Sequence, residues 1–269
     1  MKTRLFLTIL VSLFLCSSAS ASYVIDGDVS DWGIDLGQAQ LKYYLNNNNP
    51  SGGLDIDYAR EDNADTNDGW IQVYPGWSIG NGFDAEAFYF DNDATNAYIA
   101  LIQGMPDTGE IANGTWLPGD IAINADNNAA TGYKGYELGL ALRDHASLLA
   151  GRLYSVTAWN DSAYSQHSAA NPWDIKSVVG SGDVVEFVYT DTAINGHYVI
   201  EASIPLSLLG IGSNTTTQLQ LHWAQQCGND MLNLTADVNP VPEPSSMALL
   251  FISLIVGSGR SWFKIFFRV

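Results

Sequence analysis

The sequence predicts an all-β fold, an antiparallel β-sandwich, and three observations carry that expectation. Apolar and aromatic residues come in short runs, clusters of Asn, Asp and Gly break the runs, and almost no stretch keeps the helical period of about 3.6 residues. Several runs also alternate cleanly, as in Tyr198, Ile200 and Ala202 against Val199, Glu201 and Ser203. Such alternation suits antiparallel strands with one face on a core and the other wet.

Along the chain, strands are expected over residues 86–90, 98–103, 121–124, 136–142, 152–159, 183–189, 197–204 and 218–224. One short helix is expected, starting at Pro205, running through Leu208 and Leu209 and stopped by Gly210. Proline in a first turn and glycine just past a last one are the usual helix punctuation. Residues 42–70 carry the Asn46 to Asn49 run, Pro50-Ser51-Gly52-Gly53 and an acidic stretch, and read as a long loop.

The two ends do not belong to the fold. Lys2 and Arg4 precede an apolar run over 5–16, and Ala19-Ser20-Ala21 offers a small-x-small cleavage pattern ahead of Ser22, so residues 1–21 read as a secretory signal peptide. Leu15 stands where a lipoprotein signal needs a small residue. Cys16 therefore leaves with the signal and Cys227 remains alone, either as a reactive thiol or as a small buried hydrophobe, and burial is the expectation.

At the other end, Val241-Pro242-Glu243-Pro244 is followed by an apolar run over 247–256 and by Arg260, Lys264 and Arg268. That order resembles the PEP-CTERM sorting signal that an exosortase handles in bacteria. Pro242, Glu243 and Pro244 are the motif residues that the resemblance assigns to sorting. The terminal positive charge resists translocation and holds its side in the cytoplasm. An apolar run of ten residues at about 1.5 Å each spans about half of a hydrocarbon core of about 30 Å, which suits transient membrane insertion better than permanent anchoring. The alternative is a tail anchor or an amphipathic terminal helix built on Trp262, Phe263, Phe266 and Phe267. The chain then divides into a signal peptide (1–21), a β-sandwich domain (22–240) and a sorting signal with a hydrophobic helix (241–269). The implied location is the cell surface or extracellular matrix of a Gram-negative-type bacterium, reached by export through the inner membrane.

The whole chain carries a net charge of −18. Without the two ends, six Lys and Arg face 28 acidic residues, for a net charge near −22. Nucleic acid is excluded as a partner, because phosphate binding needs basic residues in numbers. Most of the acids are Asp, which favours turns and the ligation of hard cations; solubility in salty water accounts for them equally well.

Three blocks carry a second resemblance. Ile25-Asp26-Gly27-Asp28-Val29-Ser30-Asp31-Trp32, then Tyr89-Phe90-Asp91-Asn92-Asp93 leading to Asn96-Ala97-Tyr98-Ile99-Ala100, then residues 198–205 together resemble the family 9 carbohydrate-binding module and its DOMON-like relatives. The resemblance implies a β-sandwich whose opening Asp-Gly turn tucks Trp32 against the sheets, a polysaccharide or exopolysaccharide ligand, and structural calcium. The block 221–230 is similar to the last strand of many PEP-CTERM proteins.

Four constellations bear on chemistry. Gly76-Trp77-Ser78-Ile79-Gly80 fits a nucleophile elbow, but no strand–helix alternation surrounds it, so a glycine-rich turn is the expectation. Asp126, Asn128 and Glu137 take the first, third and twelfth places of an EF-hand-like loop, while Ala130 and Thr131 break that pattern. A looser Ca2+ site at Asn124, Asp126 and Asn128, or at Asp91 and Asp93, stands against ordinary hairpin turns. The loop 158–174 sets Trp159, Tyr164, His167 and Trp173 among small polar residues such as Asn171, and Trp70, Tyr74, Trp77 and Trp116 offer an opposing wall. Aromatic faces stack on sugar rings while amides and carboxylates take the hydroxyls, so Trp159, Trp173, Tyr164 and Asn171 are the carbohydrate-binding candidates. The histidines at 145, 167, 197 and 222 show no metal spacing; haem ligation by Met105 or Met231 rests only on analogy with DOMON relatives.

The reading is an exported, exosortase-sorted carbohydrate-binding protein with no catalytic residue. Two alternatives stay open: a structural or adhesive matrix protein that binds no sugar, and a secreted hydrolase using Ser78 or an acidic pair. A cleft walled by two parallel tryptophans favours sugar binding, and a closed surface with buried tryptophans favours the structural protein.

Overall fold

The computed structural model describes residues 23–36, 50, 56–60, 80–111, 114–163, 168–194, 196–212 and 215–239. The expected signal peptide, the expected sorting signal with Pro242-Glu243-Pro244 and its apolar run, and Ser78 lie outside them. So do Tyr164, His167, Trp70, Tyr74 and Trp77.

Within them, apart from two short 3-10 turns at Gly80–Phe83 and Ser168–Ala170, the regular structure is strand. In chain order these are β1 Asp57–Arg60, β2 Ala85–Asn92, β3 Asn96–Gln103, β4 Glu110–Ile111, β5 Thr115–Trp116, β6 Ile121–Asn124, β7 Leu138–Ala141, β8 Arg152–Asn160, β9 Asp174–Val184, β10 Glu186–Tyr189, β11 Tyr198–Pro205, β12 Thr217–Ala224 and β13 Met231–Val238. Five make one sheet in the order β1-β2-β3-β11-β10, and six make a second in the order β13-β12-β6-β7-β8-β9. The strand pairs are antiparallel.

Period-2 alternation decides which side chains meet. Phe88, Phe90, Ile99, Leu101, Ile200, Ala202 and Ile204 of the first sheet share one buried cluster with Ile121, Ile123, Leu140, Leu153, Leu221 and Trp223 of the second. The two sheets therefore face each other across one core, as in a β-sandwich. The intervening residues Ala87, Tyr89, Ala100, Ile102 and Val199 point outward, where residues 23–36 cover them with Tyr23, Val29, Trp32 and Ile34. On the far side, Ala122, Ala141, Tyr154, Val156, Trp159 and Ile175 form the outer cluster of the six-stranded sheet.

The expected strands all appear, with ends moved by at most two residues except at residues 183–189, which are divided between two strands. The structure adds β1 inside the stretch read as a loop, and adds β13. Residues 183–184 finish the long edge strand β9, and Glu186 starts β10 in the other sheet, so the chain changes sheets at Val185. The helix expected from Pro205 is corrected to a run of turns. Leu208, Leu209 and Gly210 donate to Pro205, Leu206 and Ser207, three residues back in each case, and Gly210 closes the run at φ +73°. Bonds of that reach make tight turns and not an α-helix.

Candidate functional site

The aromatic loop sits at one end of the β8–β9 hairpin, where Asn160 pairs with Asp174. Both of its tryptophans are buried, Trp159 at 6% exposure and Trp173 at 7%. The Trp159 indole N–H donates to the Tyr136 carbonyl at 3.2 Å, and its ring lies over Gly139. The Trp173 ring packs with Ala170, Ala224, Leu117 and Met231, and the Arg143 guanidinium sits 5.5 Å from its centroid. Its backbone is held as well, since its N–H donates to Asn160 and its carbonyl accepts from Asp120. Asn171 turns its amide oxygen onto the Ser162 N–H at 2.6 Å. The two tryptophans expected as a sugar platform thus occupy the outer layer of the sheet as packing, each in its own cluster. Trp116, expected in an opposing wall, packs instead with Phe83, Met105 and Cys227.

Beneath this loop lies a charged knot that sequence spacing did not signal. Asp120 is fully buried and accepts from the backbone N–H groups of Leu142 and Ile175. His145 places Nε2 2.9 Å from Asp120 and Nδ1 3.9 Å from Asp174. Asp174 also takes the Arg143 guanidinium at 3.0 Å and the Asn160 amide at 2.6 Å. Burial nonetheless raises the Asp174 carboxyl above the ordinary aspartate range, with help from the neighbouring Asp120 charge. Desolvation outweighs even a close arginine here, as buried ion pairs commonly show. The members come from the residue before β6, the end of β8, the start of β9 and the segment after β7, and only the fold brings them together.

The acidic turns separate into two kinds. Asp93 accepts from the Thr95 and Asn96 N–H groups, the Thr95 hydroxyl and the Tyr98 hydroxyl, while Asp91 accepts from Tyr23 and from the Asn92 N–H. These protein donors hold the β2–β3 turn together. At the second turn, Asn124, Asp126 and Asn128 each accept a backbone N–H, and Glu137 reaches back to the Ala125 N–H at 2.7 Å. Glu137 Oε2 is buried without a hydrogen bond, and burial raises its carboxyl above the usual range. This is where the EF-hand-like spacing put oxygen ligands. Among the described residues no three His, Cys, Asp or Glu converge as a ready metal group.

The other sequence candidates are accounted for by packing. Trp32 is fully buried, stacks on Tyr23 at 3.9 Å between ring centroids, and donates its indole N–H to Glu201 at 2.9 Å. His197 meets Glu86 at 2.5 Å, and His222 lies between Asn233 and the Pro172 carbonyl. Cys227 is buried and its thiol is pushed up to about 12, mainly by desolvation, which makes it inert at neutral pH. Near the aromatic loop, the half-buried Tyr133 donates its hydroxyl to the exposed Asp161 carboxylate at 2.6 Å.

No known family, no curated protein and no solved structure matches this chain. Fold and site define a class only: an antiparallel protein with two large facing sheets, whose Trp32, Trp159, Trp173 and charged knot are buried. Among the described residues no helix is long and apolar enough to cross a membrane.

Proposed function

We propose that the chain is an exported, exosortase-sorted protein of the cell surface or extracellular matrix with a structural or adhesive, non-catalytic role. The observation that carries this reading is the burial of Trp159 and Trp173, whose rings pack the outer layer of the six-stranded sheet in two separate clusters. The buried carboxylates Asp120 and Asp174 support it, because backbone amides, Arg143 and Asn160 hold them as structural acceptors. Sorting rests on Pro242-Glu243-Pro244 with the apolar and basic segments behind it, and export on the N-terminal signal pattern. A structural Ca2+ belongs to this reading at Asp126, Asn128 and Glu137.

A second reading, binding of a polysaccharide or exopolysaccharide, is favoured by Tyr133 and Asp161, an aromatic ring and a carboxylate at the surface beside Asn160 and Asn171. It moves the sugar contact from the two tryptophans to the rim of the same loop. A glycan array probed with the mature domain separates the two. The structural reading expects no retention on any glycan; retention that Tyr133→Ala abolishes replaces it with the second.

A further inference from the structure

Residues 23–36 run over the outer face of the five-stranded sheet, and one buried side chain holds them there. Glu201, on β11, is fully buried. Its register neighbours are Ala100 on β3 and Val188 on β10, so it stands in an apolar row of the sheet. Its two oxygens take the Gly27 N–H at 2.7 Å and the Trp32 indole N–H at 2.9 Å, both from the segment above.

The charges acting on Glu201 have its own sign. Asp31 and Asp26, on the covering segment, act on it. Asp31 uses one oxygen for the Val24 N–H, and its other oxygen is buried without a hydrogen bond. Around this group, β2 presents Asp91 to the Tyr23 hydroxyl, β3 presents Tyr98 bonded to Asp93, and Arg60 of β1 acts on Tyr89.

We propose that residues 23–36 form a pH-dependent strap, closed over the sheet while the buried Glu201 that holds it carries a proton and loosened when Glu201 is ionised. The energetics follow from the geometry. A buried carboxylate without a cation is held in its protonated form by desolvation, and two like charges add to that effect. Burial first, then Asp31 and Asp26, lift Glu201 to about 7 against the two N–H donors that pull the other way. The shift is upward, so Glu201 contributes fully below its unfolded value of about 4.3, and the contribution is lost as pH rises through about 7. What opens is local, because the strap covers only the outer layer and the core between the sheets stays closed.

The experiment is hydrogen exchange by mass spectrometry on the full mature chain at pH 5.5, 7 and 8.5, corrected for intrinsic exchange rates. Protection of the peptide covering 23–36 is expected to fall tenfold or more between pH 5.5 and 7 and to level off by pH 8.5, while β12 peptides keep theirs, because each unit of pH between the unfolded and the shifted value is worth about a factor of ten. Glu201→Gln is expected to flatten the fall, and Asp31→Asn to reduce it, which keeps the test decisive if the first variant does not fold. Strap protection that is constant with pH in the wild type, or that falls equally in the variant that folds, overturns the proposal.

Discussion

The ring of Trp159 lies against Gly139: a Cβ at residue 139 would stand 2.7 Å from the indole Cη2 and 2.9 Å from the Ile175 Cδ1. The strand pairing explains why. Gly139 sits on β7 beside β8, and the outer face there is filled by the indole reaching across from the neighbouring strand. A glycine in a strand interior commonly marks such a close approach.

This relationship makes Trp159 part of the fold. Trp159→Ala is expected to cost about 3–5 kcal/mol, the range for truncating a buried aromatic. At this chain size that lowers Tm by about 6–20 °C. Gly139→Ala should destabilise too, because the new methyl meets two packed side chains. Thermal melts of both variants check this; a Trp159→Ala protein that melts like the wild type would place the ring outside the core.

At the other face, Trp32 contributes both bulk and a hydrogen bond to a carboxylate. Trp32→Ala should lose about 3–5 kcal/mol. Trp32→Phe keeps much of the ring and loses the donor, so about 1.5–3 kcal/mol is expected for a hydrogen bond to a charged group. Urea unfolding at pH 8 measures both, and equal losses in the two variants would show that packing contributes nothing beyond the bond.

Asp93 supplies a pH dependence of opposite sign to that of Glu201. Its carboxyl is held below the usual range because four donors from Thr95, Asn96 and Tyr98 outweigh the burial that opposes them. A depressed carboxyl stabilises above its unfolded value of about 3.9 and loses that contribution as pH falls through the folded value. Unfolding free energies measured from pH 6 down to pH 2.5 should therefore fall, and Asp93→Asn should be less stable at pH 6 with a shallower acid slope. An unchanged acid slope in the variant contradicts the role.

Calcium is expected to raise Tm through the turn at Asp126, Asn128 and Glu137, where a carboxylate oxygen is buried without a donor. A ligand of the folded state at a hundredfold excess over Kd contributes about 2.7 kcal/mol. The comparison is EDTA against millimolar calcium at fixed ionic strength, with Glu137→Gln expected to abolish the difference. Equal melting temperatures in the two buffers remove the site.

Much of the fold was legible because alternation is a local signal. Residues 198–205 and 121–124 state their strands plainly, and the resemblance of residues 25–32 to the family 9 module implied a Trp32 tucked against the sheets, where it is buried. The short β1 stayed hidden because Asp57-Tyr58-Ala59-Arg60 becomes a strand only through its pairing with β2. The turn run at 205–210 looked helical because proline and glycine punctuate both structures. The candidate site was less legible. Trp159 and Trp173 among polar neighbours look the same in sequence whether their rings face a ligand or a sheet, and Gly139, twenty residues earlier, is what decides for Trp159. The knot of Asp120, Arg143, His145 and Asp174 carried no motif, since its members meet only after β6, β8 and β9 are paired.

The most direct test of the account is the mass and location of the mature chain in a bacterium that has an exosortase. The expected product begins at Ser22, has lost the segment after Pro242-Glu243-Pro244, and is recovered from the cell surface or matrix fraction, while Glu243→Ala keeps the tail and stays with the inner membrane. A chain that still begins at Met1, or a Glu243→Ala variant processed to the same mass and location as the wild type, contradicts it.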